Sequence, residues 1–550
     1  RVDYMQNNNA VIAAEAYNYP LLIKQLWSAP LVHSPNQEIV YRGNIRLSYS
    51  SVRSRVACLA NVLSGAGVSM GDTVAVMDWD SHRYLESYYA VPMMGAVLQT
   101  VNIRLSPDQV LYTLNHAGPK VVLLNSEFLP LYLEIREQLT SVETVIWISD
   151  EAEAAPTSIP VLGSYETLLA EASADYDFPD FDENTRATTF YTTGTTGNPK
   201  GVYFSHRQLV LHSLATMAAL GSSAKGQNFH TGDVYMPITP MFHVHAWGIP
   251  YVALMLGVKQ VYPGRYQPDQ LLKLIQDEGV TFSHCVPTIL QMLLNTPGSD
   301  KVDLSEWKVV IGGSALSDGL ARAAVKRGID VFGGYGMSET CPLISLAQLR
   351  PALGELSEDE QILYRCKAGT PVPLVDLRTV DPDMNDVPAD GQTSGEVVAR
   401  TPWLTQGYFG NPEASDELWA GGYLHTQDIG ISERGYLKIT DRIKDVIKTG
   451  GEWVSSIEIE DLLSKHAGVI EAAVIGAKDE KWGERPVALV VANNDTPPSV
   501  AELKAHLQVF ADEGQISRYA VPDQILFIDS IDKTSVGKIN KKVLREKYGN

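Results

Sequence analysis

The feature that most restricts what this chain can fold into is a regular exchange of short apolar runs and helix-length runs over its first 130 residues. DTVAVM (72–77), AVLQTV (96–101) and VVLLN (121–125) are apolar and of strand length. Between them lie helical patterns. SSVRSRVACLANVLSGAGV has apolar residues at helical spacing, with Ser50 or Ser51 as its N-cap and glycines at its end. Residues 81–94 read as a helix despite Pro92. Ser106, Pro107 and Gln109 combine a capping box with proline at the first helical position. Repeated strand–helix–strand units imply a mostly parallel sheet with helices on both faces. The exchange resumes around 255–335, through VKQVYP, a helix near 268–277, VTFSHCVP and VKRGIDVFGGYG.

Elsewhere the character changes. Residues 150–187 are rich in acidic residues and proline and read as a looser surface region. After about residue 390, GEVVAR, GYLKIT and IKDVIKTGG are short strands between glycine turns, an antiparallel pattern. From about 455 an α+β pattern returns, with IEIEDLLSKH and VAELKAHLQVF as helices and VIEAAVIGA and RPVALVVAN as strands. With 550 residues the chain is long enough for more than one domain. The expected fold is α/β: a large N-terminal domain of helix-covered, mostly parallel sheets plus an antiparallel, barrel-like region, followed by a small mobile α+β C-terminal domain.

Composition removes several classes of function. A net charge of −21 argues against general binding to nucleic acid. It leaves room for a small anionic ligand, which needs only local N–H groups, a cation or two and a metal. No apolar run approaches the roughly 20 residues that span a bilayer. The opening residues lack a basic start followed by an apolar stretch, so no secretory leader is expected. Cys58, Cys285, Cys341 and Cys366 are scattered without metal-ligand spacing, which makes a cytoplasmic location the simplest expectation.

The most informative segment for chemistry is Tyr191-Thr192-Thr193-Gly194-Thr195-Thr196-Gly197-Asn198-Pro199-Lys200-Gly201. It follows TTF (188–190), which can end a strand. Glycines let the backbone approach an anion, Thr hydroxyls and N–H groups can donate to phosphate oxygens, and Lys200 supplies a point charge. It is not the GxxxxGK[ST] loop, because no Ser or Thr follows Lys200. The alternative on composition alone is a polar surface loop.

Four further segments follow in order: Gly333-Gly334-Tyr335-Gly336-Met337-Ser338-Glu339-Thr340, Tyr423-Leu424-His425-Thr426-Gln427-Asp428, Asp441-Arg442-Ile443-Lys444-Asp445-Val446-Ile447-Lys448 running into Gly450-Gly451-Glu452-Trp453, and Lys533-Thr534-Ser535-Val536-Gly537-Lys538. Together with the Thr/Gly loop they make nearly the whole chain resemble the superfamily of adenylate-forming enzymes, which holds acyl-CoA synthetases, peptide-synthetase adenylation domains and beetle luciferases. The resemblance implies ATP, Mg2+ and coenzyme A as ligands and a carboxylic acid as substrate. It implies Thr192 and Glu339 at the metal and Thr192, Thr193, Gly194, Thr195, Thr196, Gly197 and Lys200 at the phosphates. Gly313, Ser314, Ala315, Gly334, Tyr335, Gly336, Met337 and Ser338 would line the nucleotide; the family usually has Thr at Ser338. Asp428 and Arg442 would hold the ribose, where this chain reads Thr-Gln-Asp in place of the common Thr-Gly-Asp. Lys538 would reach the carboxylate and the α-phosphate, a role the charge repulsion between them demands. The resemblance further implies residues 1–440 as the adenylation domain and 441–550 as a lid, with a hinge about 441–445 carried by Asp441 and Lys444. After adenylation the lid would rotate and bring Lys448, Gly450, Gly451 and Trp453 to the thiol channel.

The acid itself is less legible. His243 matches a family position beside the carboxylate, and Gly313 and Gly336 adjoin it. Trp247 matches a tryptophan that gates the acyl tunnel in some fatty acyl-CoA synthetases; simple core packing is the alternative. A spacing of four puts His243 and Trp247 on one face if the segment is helical. Val286, Ile289 and Leu290 make the surroundings apolar. The pattern most resembles the medium/long-chain fatty acyl-CoA ligase branch, which includes 3-methylthiopropionate ligases. Medium-chain or short substituted acids are expected, with a long-chain acid or another acceptor, such as a carrier-protein thiol, as alternatives. No carrier segment follows Asn550, which weighs against a peptide-synthetase module. The oligomeric state stays open, a homodimer being the form the resemblance suggests.

Overall fold

The computed structural model describes residues 13–151, 153–192, 198–449 and 452–549. Two large sheets carry the N-terminal part. The first has seven strands in the order Val161–Ser164, Thr144–Ile148, Pro119–Asn125, Thr73–Met77, Val97–Thr100, Arg186–Thr192, Lys200–Ser205. All neighbours are parallel except the last pair, an antiparallel hairpin. The second has nine strands, parallel from Asp330–Gly336 through to Glu38–Tyr41 and closed at its edges by antiparallel neighbours.

The parallel strands are buried over most of their length because helices cover both faces. Thr73–Met77 is buried at every position, and the helix His82–Met93, Pro92 included, has no exposed residue. The helix expected near residue 50 runs Tyr49–Gly65 and is capped by Ser48, whose side chain accepts from the Ser51 N–H. That moves the cap two or three positions upstream of the expected Ser50 or Ser51. The reason is Tyr49, fully buried, which donates to Val258 O at 2.5 Å and so belongs to the first turn. The loose region also holds more structure than its composition suggests: the edge strand Val161–Ser164 and the helix Tyr165–Glu171, whose Tyr165 donates to Glu86.

Beyond them the expected antiparallel region is a four-stranded sheet, Asp376–Val380, Gly395–Arg400, Leu424–Glu433 and Tyr436–Arg442. A five-stranded sheet built from residues 447–527 follows, with one apolar core under the helices Ser456–Ser464 and Val500–Asp512 and another under the helix Lys541–Tyr548. Asp441 lies inside the strand Tyr436–Arg442, opposite Ile429, so the link between the two sheets begins at Ile443. Among the described residues, no helix is long and apolar enough to cross a membrane.

Candidate active site

The parallel strands Lys308–Ile311 and Asp330–Gly336 run side by side, and their carboxyl ends open into one crevice, where open α/β sheets gather ligands. Glycine is required there by close approach. A Cβ on Gly336 would sit 1.7 Å from the Pro342 carbonyl oxygen. Gly313 holds φ at +79°, and the space a Cβ would take lies 3.3 Å from Lys538 Cε. Gly313, Gly334, Tyr335, Gly336, Met337 and Ser338 all line this cleft, and His243, Trp247 and Lys538 close it. Ser314 and Ala315 lie at its exposed rim.

Lys538 comes from the far end of the sequence. It leaves a turn in which Thr534 N donates to Lys538 O at 2.7 Å and Gly537 N to Thr534 O at 2.9 Å. Burial pushes its ammonium down to about 8, Arg442 and Lys444 push the same way, and Asp428 and Glu339 oppose them. Two carboxylates and two other cations therefore lie within electrostatic range of one amine. Burial holds the His243 imidazole down to about 3, with Lys538 and Arg104 adding to the effect, so it is neutral near pH 7.

At the other end of the site, Tyr335 donates to Asp428 Oδ2 at 2.7 Å, and Arg442 Nε meets Asp428 Oδ1 at 3.1 Å. Asp428 and Arg442 are direct cross-strand partners. Gln427, at the position where the resemblance has glycine, adopts φ +60° and is exposed. The left-handed conformation is kept without the glycine. Lys200 and Thr192 are paired across the hairpin that carries the Thr/Gly loop. Lys200 Nζ lies 4.6 Å above the Tyr408 ring, and Tyr408 in turn donates to Glu339 Oε1 at 2.7 Å.

The acid side departs from the helical expectation. Residues 244–247 form a single turn in which Val244, His245, Ala246 and Trp247 all have positive φ, between +47° and +58°. It is a left-handed turn, so the spacing of four does not place His243 and Trp247 on one face of a right-handed helix. Both still reach the cleft. Asp80 anchors the start of the segment, accepting from Met241 N at 2.9 Å, while Tyr266 donates to its other oxygen at 2.5 Å. The Trp247 ring lies 5.0 Å from that of His284, tilted by 32°. Leu290 belongs to the second core with Leu271 and Leu316, and Ile289 packs against that core. Of the three expected apolar wall residues only Val286 adjoins the site, beside Gly313 and Gly537.

Thr193, Gly194, Thr195, Thr196, Gly197, Gly450 and Gly451 lie outside the described residues. Lys448 is exposed and pairs through its backbone with Trp453 in the hairpin Ile447–Thr449 and Glu452–Val454. Lys444 is exposed in the turn after Arg442. Asp441 is buried and fixed: its carboxylate accepts from Ser456 N at 2.6 Å and Ser456 Oγ at 2.8 Å. The site residue that sequence reasoning missed is Tyr408. Its only signal is an aromatic set between Gly407 and Gly410.

This arrangement of fold and cleft defines an adenylate-forming enzyme. Residues 29–409 match the family model for AMP-binding enzymes, and residues 458–538 match the model for the AMP-binding enzyme C-terminal domain. The chain belongs to this family, in the branch that holds the medium- and long-chain fatty acyl-CoA ligases. It is 41% identical to a long-chain-fatty-acid–CoA ligase of Thermus thermophilus, over 92% of this chain and 91% of that one. It is 39% identical to a 3-methylmercaptopropionyl-CoA ligase of Ruegeria pomeroyi, over 91% and 92%. A solved anthranilate CoA ligase holding anthranoyl-AMP superposes with a TM-score of 0.84, covering 96% of this chain and 98% of that one; at 23% identity this speaks for the fold.

Proposed function

We propose that this chain is an AMP-forming acyl-CoA ligase that activates a medium-chain or short substituted apolar carboxylic acid. A carboxylate oxygen attacks the α-phosphorus of ATP, the bond to pyrophosphate breaks, and acyl-AMP remains. The thiolate of coenzyme A then attacks the acyl carbon, and AMP leaves with the shared oxygen. The observation that carries the reading is Lys538, an ammonium delivered into the same cleft as His243 and Trp247. Two anions must meet in the first step, and a preorganised cation is worth most in a partly dry site. Neutral His243 donates one hydrogen bond to the carboxylate without adding a competing charge.

Asp428 and Arg442 take the ribose, with Tyr335 against the adenine and Ser338 at the phosphate. Lys200 and the Thr/Gly loop take the outer phosphates. Thr192 and Glu339 fit magnesium: the oxygen donors suit a hard cation that phosphate oxygens complete. When bound, the ion offsets charge on the leaving pyrophosphate. Tyr408 holds the Glu339 carboxylate in place through its hydrogen bond. Residues 1–440 form the adenylation domain and 441–550 the lid, with the hinge turn at about 441–445. Asp441 is its fixed end and Lys444 its moving part. Rotation carries Lys538 out and brings Lys448, Gly450, Gly451 and Trp453 toward the thiol.

Trp247 bears on chain length. The cleft has about 20 Å³ of open space, room for one or two waters, and the indole lines it. An acyl chain needs more room than this, so the Trp247 indole must swing to admit it, further for a longer chain. The test is AMP release across a panel of acids with and without coenzyme A. CoA-dependent AMP with short and medium acids is expected; none with any acid would sink the assignment. Lys538→Ala should lower acid-dependent pyrophosphate exchange by about 10²–10³-fold while largely sparing the thioester step from supplied acyl-AMP. Equal loss in both steps would refute the division of labour.

A further inference from the structure

Lys538 works only if the turn that carries it is seated on the large domain, and one loop holds the first of the three residues that seat it. That loop, residues 101–105, leaves the strand Val97–Thr100. Asn102 is buried, and its Nδ2 donates to Ser535 Oγ at 2.9 Å, while its Oδ1 accepts from Arg104 N at 3.1 Å. The amide thus faces both ways: one end shapes its own loop, the other holds the Lys538 turn. Arg104 Nη1 donates to the Ser535 carbonyl oxygen at 3.2 Å. Its guanidinium is held over Phe242 at 5.8 Å and Tyr266 at 6.0 Å, the second being the ring that hydrogen-bonds Asp80. Next in sequence, Val536 is 6% exposed and packs in the main apolar core of the large domain. Thr288 Oγ1 donates to Gly537 O at 3.2 Å. Three consecutive residues before Lys538 are therefore gripped, Ser535 and Gly537 by hydrogen bonds and Val536 by apolar packing.

We infer that Asn102 and Arg104 are positioning residues for adenylation: they dock the Ser535 turn and so fix the ammonium of Lys538 in the acid cleft. This rests on Lys538 acting in the adenylation step. Neither residue lines the cleft itself, and both contacts cross from the large domain to the lid. They exist only while the lid is in this orientation. Their loss therefore weakens the first half-reaction and leaves the second intact, a pattern that a general folding defect would not give.

The experiment compares pyrophosphate exchange and thioester formation from supplied acyl-AMP in Asn102→Ala, Arg104→Ala, Arg104→Lys and Ser535→Ala, with Lys538→Ala alongside. Asn102→Ala and Arg104→Ala should each lower kcat of exchange about tenfold, with KM for ATP and the thioester step within about twofold of the parent. Arg104→Lys should recover part of the loss. Asn102→Ala combined with Ser535→Ala should lose no more than Asn102→Ala alone, because the two remove one hydrogen bond. Equal loss in both half-reactions, unchanged exchange, or additive loss in the double variant would overturn the inference. If Lys538→Ala fails to separate the two steps, the reading of Lys538 falls first, and the docking role falls with it.

Discussion

At the scale of single residues, the chemistry depends on how burial sets charge. Lys538 is held down to about 8 chiefly by burial. Its useful form is the ammonium, present below that value and lost above it. In the free enzyme, kcat/KM for pyrophosphate exchange should therefore be flat up to about pH 8 and fall tenfold per pH unit beyond it. Bound ATP adds negative charge and favours the ammonium, so the fall in kcat should begin at higher pH. Lys538→Arg keeps its charge throughout and should lose this limb, at a lower rate. An alkaline limb unchanged in Lys538→Arg would assign it to another group. Tyr408 offers a second check. Tyr408→Phe deletes the donor to Glu339 and should raise the magnesium concentration needed for half-maximal exchange about tenfold, with little effect on the thioester step. Lys538, Glu339 and Asp428 were legible because each sits in an ordered motif. Tyr408 was not, since an aromatic pair between glycines carries no periodicity, and its partner lies 69 positions away.

At the scale of elements, the strand–helix exchange was legible because a parallel sheet covered on both faces favours buried, largely apolar strands and helical crossovers. Handedness was not. A spacing of four marks one face only if the turn is right-handed, and residues 244–247 wind the other way. Left-handed turns of L-residues cost roughly 1–2 kcal/mol per residue. The surrounding packing has to hold this one, since Val244, Ala246 and Trp247 are all buried. Such strain gathers at ligand sites, and here it aims Trp247 into the cleft. The Gln427 turn shows the same conformation where packing cannot hide it. Its side chain is exposed, so substitutions there report backbone preference rather than burial. Gln427→Gly should leave the unfolding temperature unchanged or raise it, while Gln427→Val should cost about 2 kcal/mol relative to glycine. Equal melting temperatures for all three side chains would show that the loop relaxes out of the left-handed region. Trp247→Ala should shift acid preference toward longer chains, read as the ratio of kcat/KM for long over short acids. No change in that ratio would return Trp247 to plain core packing.

At the scale of the whole molecule, the proposed site lies between the two proposed domains. One supplies the crevice, and the other supplies Lys538 and Arg442. Besides the Ser535 turn, their contact includes the start of the helix Asp318–Lys326. Asp318 N donates to Asp461 Oδ1 at 2.7 Å, and a Cβ on the next residue, Gly319, would stand 2.5 Å from the Ser464 carbonyl oxygen. Within its own helix Gly319 has no need to be glycine, because alanine in a helix is better by about 1 kcal/mol. Outside its own helix, the backbone nearest to its Cβ position among the described residues is that of Ser464 in the lid. Gly319→Ala is thus a wedge that stabilises the large domain while forbidding this orientation of the lid. Pyrophosphate exchange should fall about tenfold or more, the thioester step from supplied acyl-AMP should be unaffected, and the melting temperature should not drop. A variant that melts earlier and loses both steps would mean that Gly319 serves the fold of the large domain. One that keeps full exchange would mean that the lid adenylates in an orientation other than the one described.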